Sequence, residues 1–335
     1  MNVLVTGGAG YIGSTIASAL LDAGHTPIVL DNLLTGREEF TEGRIFYKGD
    51  IADRGLIEAI FEKHSPIYCA IHCAAMALVP ESVAKPYEYY RENVAKSVEL
   101  FKLLSDLGCS RMVFSSSASL YDDVEGFKVT EDSPLKARSP YARTKLMMEM
   151  VLQDMCAAYD MRAISLRYFN PIGADPKLRS GNPGKNSTLV LGKLIAAATG
   201  SEDGFCITGT DWPTRDGTGI RDYVHVWDLA QAHICAVEKF DSVMEDAAVS
   251  SGYLVINLGL GNGVTVREIV EAFKSVHTDP FIVEEGPARP GDVAGAYASN
   301  ERAKKLLGWS AQLTIEDGIR DALRWDALKV LKDGL

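Results

Sequence analysis

Three glycines, Gly7, Gly10 and Gly13, follow the apolar run 3–6 and open a segment whose apolar residues recur at helical spacing. A strand that turns through glycines into a helix leaves backbone N–H groups at the helix start, with no side chain to keep a phosphate away. The spacing is GxxGxxG. Asp31 closes the next apolar run, about twenty residues past the turn, where a carboxylate can hold adenosine ribose hydroxyls. The same charge repels a 2′-phosphate, so the expected cofactor is NAD and not NADP. A ligand-free glycine turn between strand and helix is the bland alternative.

The rest of the first half repeats this rhythm. Strands are expected at 3–6, 27–31, 68–73, 112–115 and 163–167, and helices at 12–23, 54–63, 88–107 and 140–159. Continuous β-branched strands separated by amphipathic helices predict an α/β fold, a doubly wound, Rossmann-like parallel sheet covered on both faces. After Asn170 the stretch 171–186 is rich in Gly, Pro and Asn. Helices then fall at 190–199, 227–239, 266–276, 301–307 and 315–331, the third opened by a capping-box pair, Thr265 and Glu268. The expected division is a cofactor-binding domain over 1–170 and a smaller carboxy-terminal α/β substrate domain over 171–335. Segments such as 222–238 return to the first domain.

With 335 residues and a net charge of −11, the chain is long enough for a large core and too acidic for broad binding to nucleic acid or anionic membrane. The opening residues carry no basic leader, and no apolar run is long enough to span a bilayer, so a soluble cytoplasmic protein is expected. The six cysteines lack paired CxxC spacing and read as reduced core residues. On a strand, His72 faces away from Cys69 and Cys73, so no metal is expected there.

Tyr141 and Lys145 stand four residues apart in a segment that starts Ser139-Pro140. Ser139 suits an N-cap and Pro140 the first helical position. One helix face would then carry both side chains, and the ammonium would favour the phenolate of a tyrosine whose ordinary pKa is near ~10. Such a pair is a proton-transfer group; tyrosine and lysine on a solvated helix face are the alternative. Asp50-Ile51 suits an adenine-contacting turn or a helix cap. Cys73-Ala74-Ala75 is small enough to pass close to a cofactor, although tight helix packing asks for the same residues.

Six ordered blocks, at 5–13, 30–33, 114–118, 139–145, 167–171 and 216–226, resemble the UDP-glucose 4-epimerase (UDP-galactose 4-epimerase) family of extended short-chain dehydrogenases/reductases. The resemblance implies tightly held NAD, a UDP-hexose substrate and a homodimer built on helices like 88–107 and 140–159. It implies that Tyr141 takes the proton of the sugar C4 hydroxyl, that Lys145 binds the nicotinamide ribose and acidifies Tyr141, and that Ser117 hydrogen-bonds the same C4 oxygen. Tyr11, Ile12, Asn32, Asn93 and Ser115 join the cofactor contacts, Phe169 lines the nicotinamide pocket, and Asn170 contacts the diphosphate. Arg221 and Arg289 would clamp phosphate oxygens, Asp292 would take ribose hydroxyls, and Leu189 and Thr208 would line the nucleotide site.

The chain departs from the family pattern at several positions. Met76-Ala77 stands where a lysine is common, Tyr121-Asp122 replaces Tyr-Gly, and Thr208 occupies the place of an aromatic that stacks on uracil. The expected Asn-Leu pair is blurred into Asn186-Ser187-Thr188-Leu189. Ala296 matches a site where a bulky residue narrows the sugar pocket, which implies room for UDP-N-acetylhexosamines. A nucleotide-sugar 4,6-dehydratase or a decarboxylase would share Tyr141 and Lys145. A dehydratase also needs an acid beside the serine run, where this chain has Ser117-Ala118-Ser119. A non-catalytic NAD-binding protein would not need the base.

Overall fold

The computed structural model describes residues 1–184, 189–289 and 292–333. Seven parallel strands form the main sheet: β1 (Asn2–Thr6), β2 (Thr26–Asp31), β3 (Ile45–Lys48), β4 (Ile67–His72), β5 (Arg111–Ser115), β6 (Arg162–Tyr168) and β7 (Tyr253–Leu258). Their spatial order is β7-β6-β5-β4-β1-β2-β3, so the chain reverses its direction of travel across the sheet between β1 and β4. Loops leaving these two strands diverge, and the crevice between them is where open α/β sheets bind ligands.

Side-chain alternation along β1 sorts residues to the two faces. Val3 and Val5 enter a core under helices Tyr11–Asp22 and Val226–Glu238, and Leu4 enters the opposite core under helices Arg54–His64, Lys96–Asp106 and Pro140–Ala158. The doubly wound α/β architecture expected from the alternating pattern is therefore present. Two of its strands were not anticipated. β3 is a short, half-exposed edge strand, and β7 joins the sheet after a long excursion through the second half of the chain.

The helix expected over 88–107 starts at Pro86 and is interrupted by one wide π-type turn at Arg91–Ala95. Ser139 caps the helix Pro140–Ala158 by accepting the Ala142 N–H at 3.1 Å. Thr265 and Glu268 form a reciprocal capping box at the start of helix Val266–Val276.

A second core, around Leu194, Tyr223, Ile269, Phe273 and Ile319, lies beyond the strand ends. Its four-stranded sheet joins Val264–Thr265, Ile220–Arg221, Gly295–Ala298 and Lys128–Val129, the last contributed by the first half of the chain. Asp222 ties this layer to the main sheet. Its buried carboxylate accepts the N–H groups of Leu260 at 2.7 Å, Ala298 at 3.0 Å and Gly261 at 3.2 Å. Burial pushes its pKa up to about 6, and those donors offset part of the rise. Among the described residues, no helix is long and apolar enough to cross a membrane.

A buried polar network fastens the helix Pro140–Ala158 to the sheet. Glu149 receives Arg167 in a two-pronged pair, 2.9 Å from Nε to Oε1 and 2.5 Å from Nη2 to Oε2, and also accepts the Ser116 hydroxyl. Arg167 Nη1 donates to the Tyr121 hydroxyl at 3.0 Å, and the Tyr121 O–H donates to Asn257 Oδ1 at 2.6 Å. Both charges are 4% exposed. Removing one strands the other in a medium that solvates it poorly. Arg167→Met is expected to lower stability by about 3–5 kcal/mol in urea unfolding, and Arg167→Met/Glu149→Leu to recover part of that loss. A double variant less stable than either single one would contradict this account.

Candidate active site

The crevice at the ends of β1 and β4 is built on absent side chains. A Cβ on Gly7, whose φ is +71°, would lie 2.6 Å from the Ala74 nitrogen, and one on Gly13 would lie 2.2 Å from the Gly7 carbonyl oxygen. At Gly10 the nearest atom would be 3.3 Å away, a tight fit but no collision. Gly10 is the N-cap, and no side chain caps the helix Tyr11–Asp22. The first-turn N–H groups of Tyr11, Ile12 and Gly13 therefore keep their donor capacity for an anion. The Tyr11 hydroxyl is not at the cradle surface, since it donates to the Gly173 carbonyl at 2.7 Å and anchors the turn to the second half of the chain.

Asp31 sits at the end of β2, with Oδ2 taking the Ala9 N–H at 3.0 Å and Oδ1 the Leu33 N–H at 2.8 Å. Burial raises its pKa against the lowering effect of those two bonds. Asp50 follows the neighbouring β3. Burial raises its pKa, but hydrogen bonds and charge from Lys96, at 2.5 Å, leave it net lowered. Asn32 Nδ2 reaches Asp50 at 3.5 Å, and Ile51 is buried beside them. Cradle, Asp31 and the 50–51 turn form one continuous edge that could hold a dinucleotide.

Tyr141 and Lys145 lie one turn apart near the start of helix Pro140–Ala158, both buried, and Ser117 follows β5. Lys145 Nζ donates to the Ser115 carbonyl at 2.7 Å and lies 4.9 Å from the centre of the Phe114 ring. Burial depresses its pKa to about 8. Burial also raises the Tyr141 pKa, and hydrogen bonding with Ser117 offsets part of the rise. The ammonium expected from the spacing to acidify Tyr141 is thus hydrogen-bonded to a strand-end carbonyl. Ser117 Oγ also lies 2.9 Å from Ser119 Oγ.

The Ser115 hydroxyl meets Cys73 Sγ at 3.0 Å, and burial pushes the Cys73 thiol up to about 11, well away from reactivity. Ala74 and Ala75 continue that strand end past Gly7. His72, one residue earlier, is held between Thr6 Oγ1 at 2.7 Å and Ser97 Oγ at 2.9 Å. Among the described residues, no three His, Cys, Asp or Glu side chains gather as a metal would require. Asn93 is buried. From the π-type turn its amide accepts the Met76 N–H at 2.8 Å and donates to the Met76 carbonyl at 2.9 Å and to Thr144 Oγ1 at 3.1 Å. It thus clamps the loop after β4 to the helix of Tyr141 and Lys145. Phe169 stacks on Tyr121, with ring centres 6.5 Å apart.

A cleft of ≈ 310 Å³ opens in the second half of the chain and gathers Thr208, Arg221, Arg289 and Asp292. Arg289 Nε pairs with Asp292 Oδ2 at 3.2 Å, so the expected phosphate and ribose ligands engage each other in the free chain. Arg221 Nη1 donates to the carbonyls of Ile220 and Ala294, both at 2.8 Å. Asn170 lies on the strand beside Tyr223–His225, its N–H on the Asp222 carbonyl at 3.0 Å. Ala296 pairs with Arg221 in the short parallel ladder and is half-buried. Leu189 is 44% exposed, and its neighbour Val190 lines the cleft instead. Asn186, Ser187 and Thr188 lie outside the described residues. Tyr223 was not anticipated. Its hydroxyl, buried at the cleft, has no hydrogen-bond partner among the described residues. A tyrosine in an apolar strand reads as core, and sequence carries no further signal.

Residues 3–252 match the model of the NAD dependent epimerase/dehydratase family. A UDP-glucose 4-epimerase of Bacillus subtilis (strain 168) is 39% identical over 340 residues, covering 98% of both chains. Among solved structures, a UDP-glucose-4-epimerase from Stenotrophomonas maltophila, crystallised with NAD and formylated UDP-arabinopyranose, superposes with a TM-score of 0.93 at 34% identity over 99% of both chains. The UDP-Glc/GlcNAc 4-epimerase of Campylobacter jejuni does so with a TM-score of 0.83 at 33% identity, over 98% of this chain and 99% of that one. With its glycine cradle, its Tyr141 and Lys145 helix and its full-length likeness to these proteins, the chain belongs to the NAD dependent epimerase/dehydratase family.

Proposed function

We propose that this chain is a cytoplasmic, NAD-dependent epimerase that inverts C4 of a UDP-hexose through a transient 4-keto sugar. The observation that carries this reading is a buried phenol, Tyr141, sharing its helix face with a buried ammonium, Lys145, beside the glycine turn at the ends of β1 and β4. The turn fits NAD because Gly7 and Gly13 let its backbone pack where a side chain would collide with the Ala74 and Gly7 backbone, leaving the helix start free of covering side chains. The uncapped N–H groups of Tyr11, Ile12 and Gly13 would take its pyrophosphate, Asp31 its adenosine ribose, and Asp50 with Ile51 would border its adenine. When bound, NAD supplies a hydride acceptor and a positive charge that favours a nearby phenolate.

Tyr141 removes the proton of the C4 hydroxyl, and Ser117 holds the same oxygen. Burial favours the protonated phenol, and the positive charge that bound NAD would supply favours the phenolate. Lys145 holds the nicotinamide ribose, and Ser115 and Phe114 keep its ammonium in place. Residues 1–170 serve the cofactor and 171–335 chiefly the nucleotide sugar, with 222–238 returning to the main sheet. In the second part Arg221, Arg289 and Asn170 hold the nucleotide diphosphate, and Asp292 takes the ribose hydroxyls. A firmly held diphosphate and a loosely held hexose allow the 4-keto sugar to turn over and be reduced on its other face.

Ala296 supports acceptance of a 2-acetamido sugar as well, since alanine stands where a bulky residue would narrow the sugar pocket. A homodimer is part of the same proposal. Val83, Tyr87, Met147 and Met150 on helices Val79–Ala84, Pro86–Tyr90 and Pro140–Ala158 are 65%, 70%, 41% and 57% exposed, an apolar surface that a second copy would cover.

Tyr141→Phe is expected to retain NAD and UDP binding while turnover of UDP-galactose falls at least ~100-fold, measured by resolving the two hexoses. Near-normal turnover would move the proton to another group. Ala296→Tyr is expected to depress activity on UDP-N-acetylglucosamine by about tenfold or more relative to UDP-glucose. Equal losses on both sugars would reject the pocket argument. Met150→Glu with Val83→Glu is expected to yield a monomer in light scattering, where an unchanged dimer would place the interface elsewhere.

A further inference from the structure

The base end of the nucleotide cleft has no ring at Thr208, although nucleobases bind most strongly against aromatic faces. Three aromatic residues line the cleft: Phe205, Trp212 and Tyr223. Phe205 and Tyr223 are 6% and 3% exposed and belong to the core behind it, so their ring faces are already covered by protein. Trp212 differs. It is half-exposed, it enters none of the core clusters of the described residues, and its indole N–H finds no acceptor among them.

The backbone around Trp212 is built to hold that indole beside Thr208. Strand Phe205–Thr208 ends in Gly209, whose φ is +78° and whose Cβ, if it had one, would lie 2.5 Å from Trp212 Nε1 and 3.2 Å from Ala288 Cβ. The loop closes at Gly217, φ +83°, where a Cβ would lie 2.1 Å from the Thr210 carbonyl oxygen. Trp212 itself is pinned through its N–H to the Gly217 carbonyl at 2.9 Å and its carbonyl to the Thr214 N–H at 2.8 Å. A large, unpaired ring therefore borders the cleft against Gly209, the residue after Thr208. Ala288, which shares the Gly209 contact, directly precedes Arg289 of the phosphate end.

We propose that Trp212 is the stacking platform for the nucleobase, replacing an aromatic at position 208 by one displaced four residues along the chain. This rests on the UDP-hexose reading above. The platform is a specificity residue for nucleotide binding and takes no part in the proton transfer at Tyr141.

The test uses the full chain loaded with NAD, titrated with UDP and separately with inorganic pyrophosphate, by calorimetry and by tryptophan fluorescence. UDP is expected to change the fluorescence of the wild type, and W212A to lose that change. W212A is expected to weaken UDP binding about tenfold or more while leaving pyrophosphate binding unchanged, and W212F to stay within about threefold of wild type. Wild-type-like UDP affinity in W212A, or an equal loss for UDP and pyrophosphate, overturns the platform and leaves the epimerase reading intact. A wild type that does not bind UDP overturns both.

Discussion

Two backbones touch where Gly7 runs past Cys73 and Ala74, at a separation that excludes a single additional carbon. That contact exists because β1 and β4 are neighbours in a sheet whose winding reverses between them. The reversal opens the crevice, and the bare glycine lets the turn after β1 pack directly on the backbone after β4. Asp31 on the next strand and Ser115 one strand beyond β4 are then brought to the same edge as the cradle. The site is thus a property of strand order first and of side chains second.

The electrostatics of the reacting end follow from how deeply it is buried. Desolvation raises the phenol of Tyr141 and lowers the ammonium of Lys145, so both are pushed toward their neutral forms. Lys145 Nζ is held by a strand-end carbonyl and an aromatic face, and Ser117 offsets part of the rise at Tyr141. Beneath them the Glu149–Arg167 pair and the Asn93 clamp immobilise the helix that carries both groups. Precision at Tyr141 therefore comes from polar contacts outside the crevice.

Much of this was legible without coordinates. Gly7, Gly13 and Asp31 mark their turn and strand end by type and spacing, and Ser139 with Pro140 announces the helix of Tyr141 by capping chemistry alone. Other residues were not legible. Asn93 carries no mark that it will reach Met76 from a π-type turn, and Glu149 reads as an ordinary helix acid until Arg167 arrives from another strand. β3 is too short and too exposed to show a burial pattern, and β7 lies far along the chain from its partner β6.

Local chemistry in the chain was enough for the α/β alternation, the cradle and the tyrosine and lysine on one helix face, because each depends on residues within a few positions of one another. The direction of Lys145, the pairing of Arg289 with Asp292, the orphaned hydroxyl of Tyr223 and the stance of Trp212 depend on segments that meet only after folding. Short-range order is written in propensity and periodicity. The aim of a buried charge or an unpaired ring is set by which distant backbone comes to rest against it.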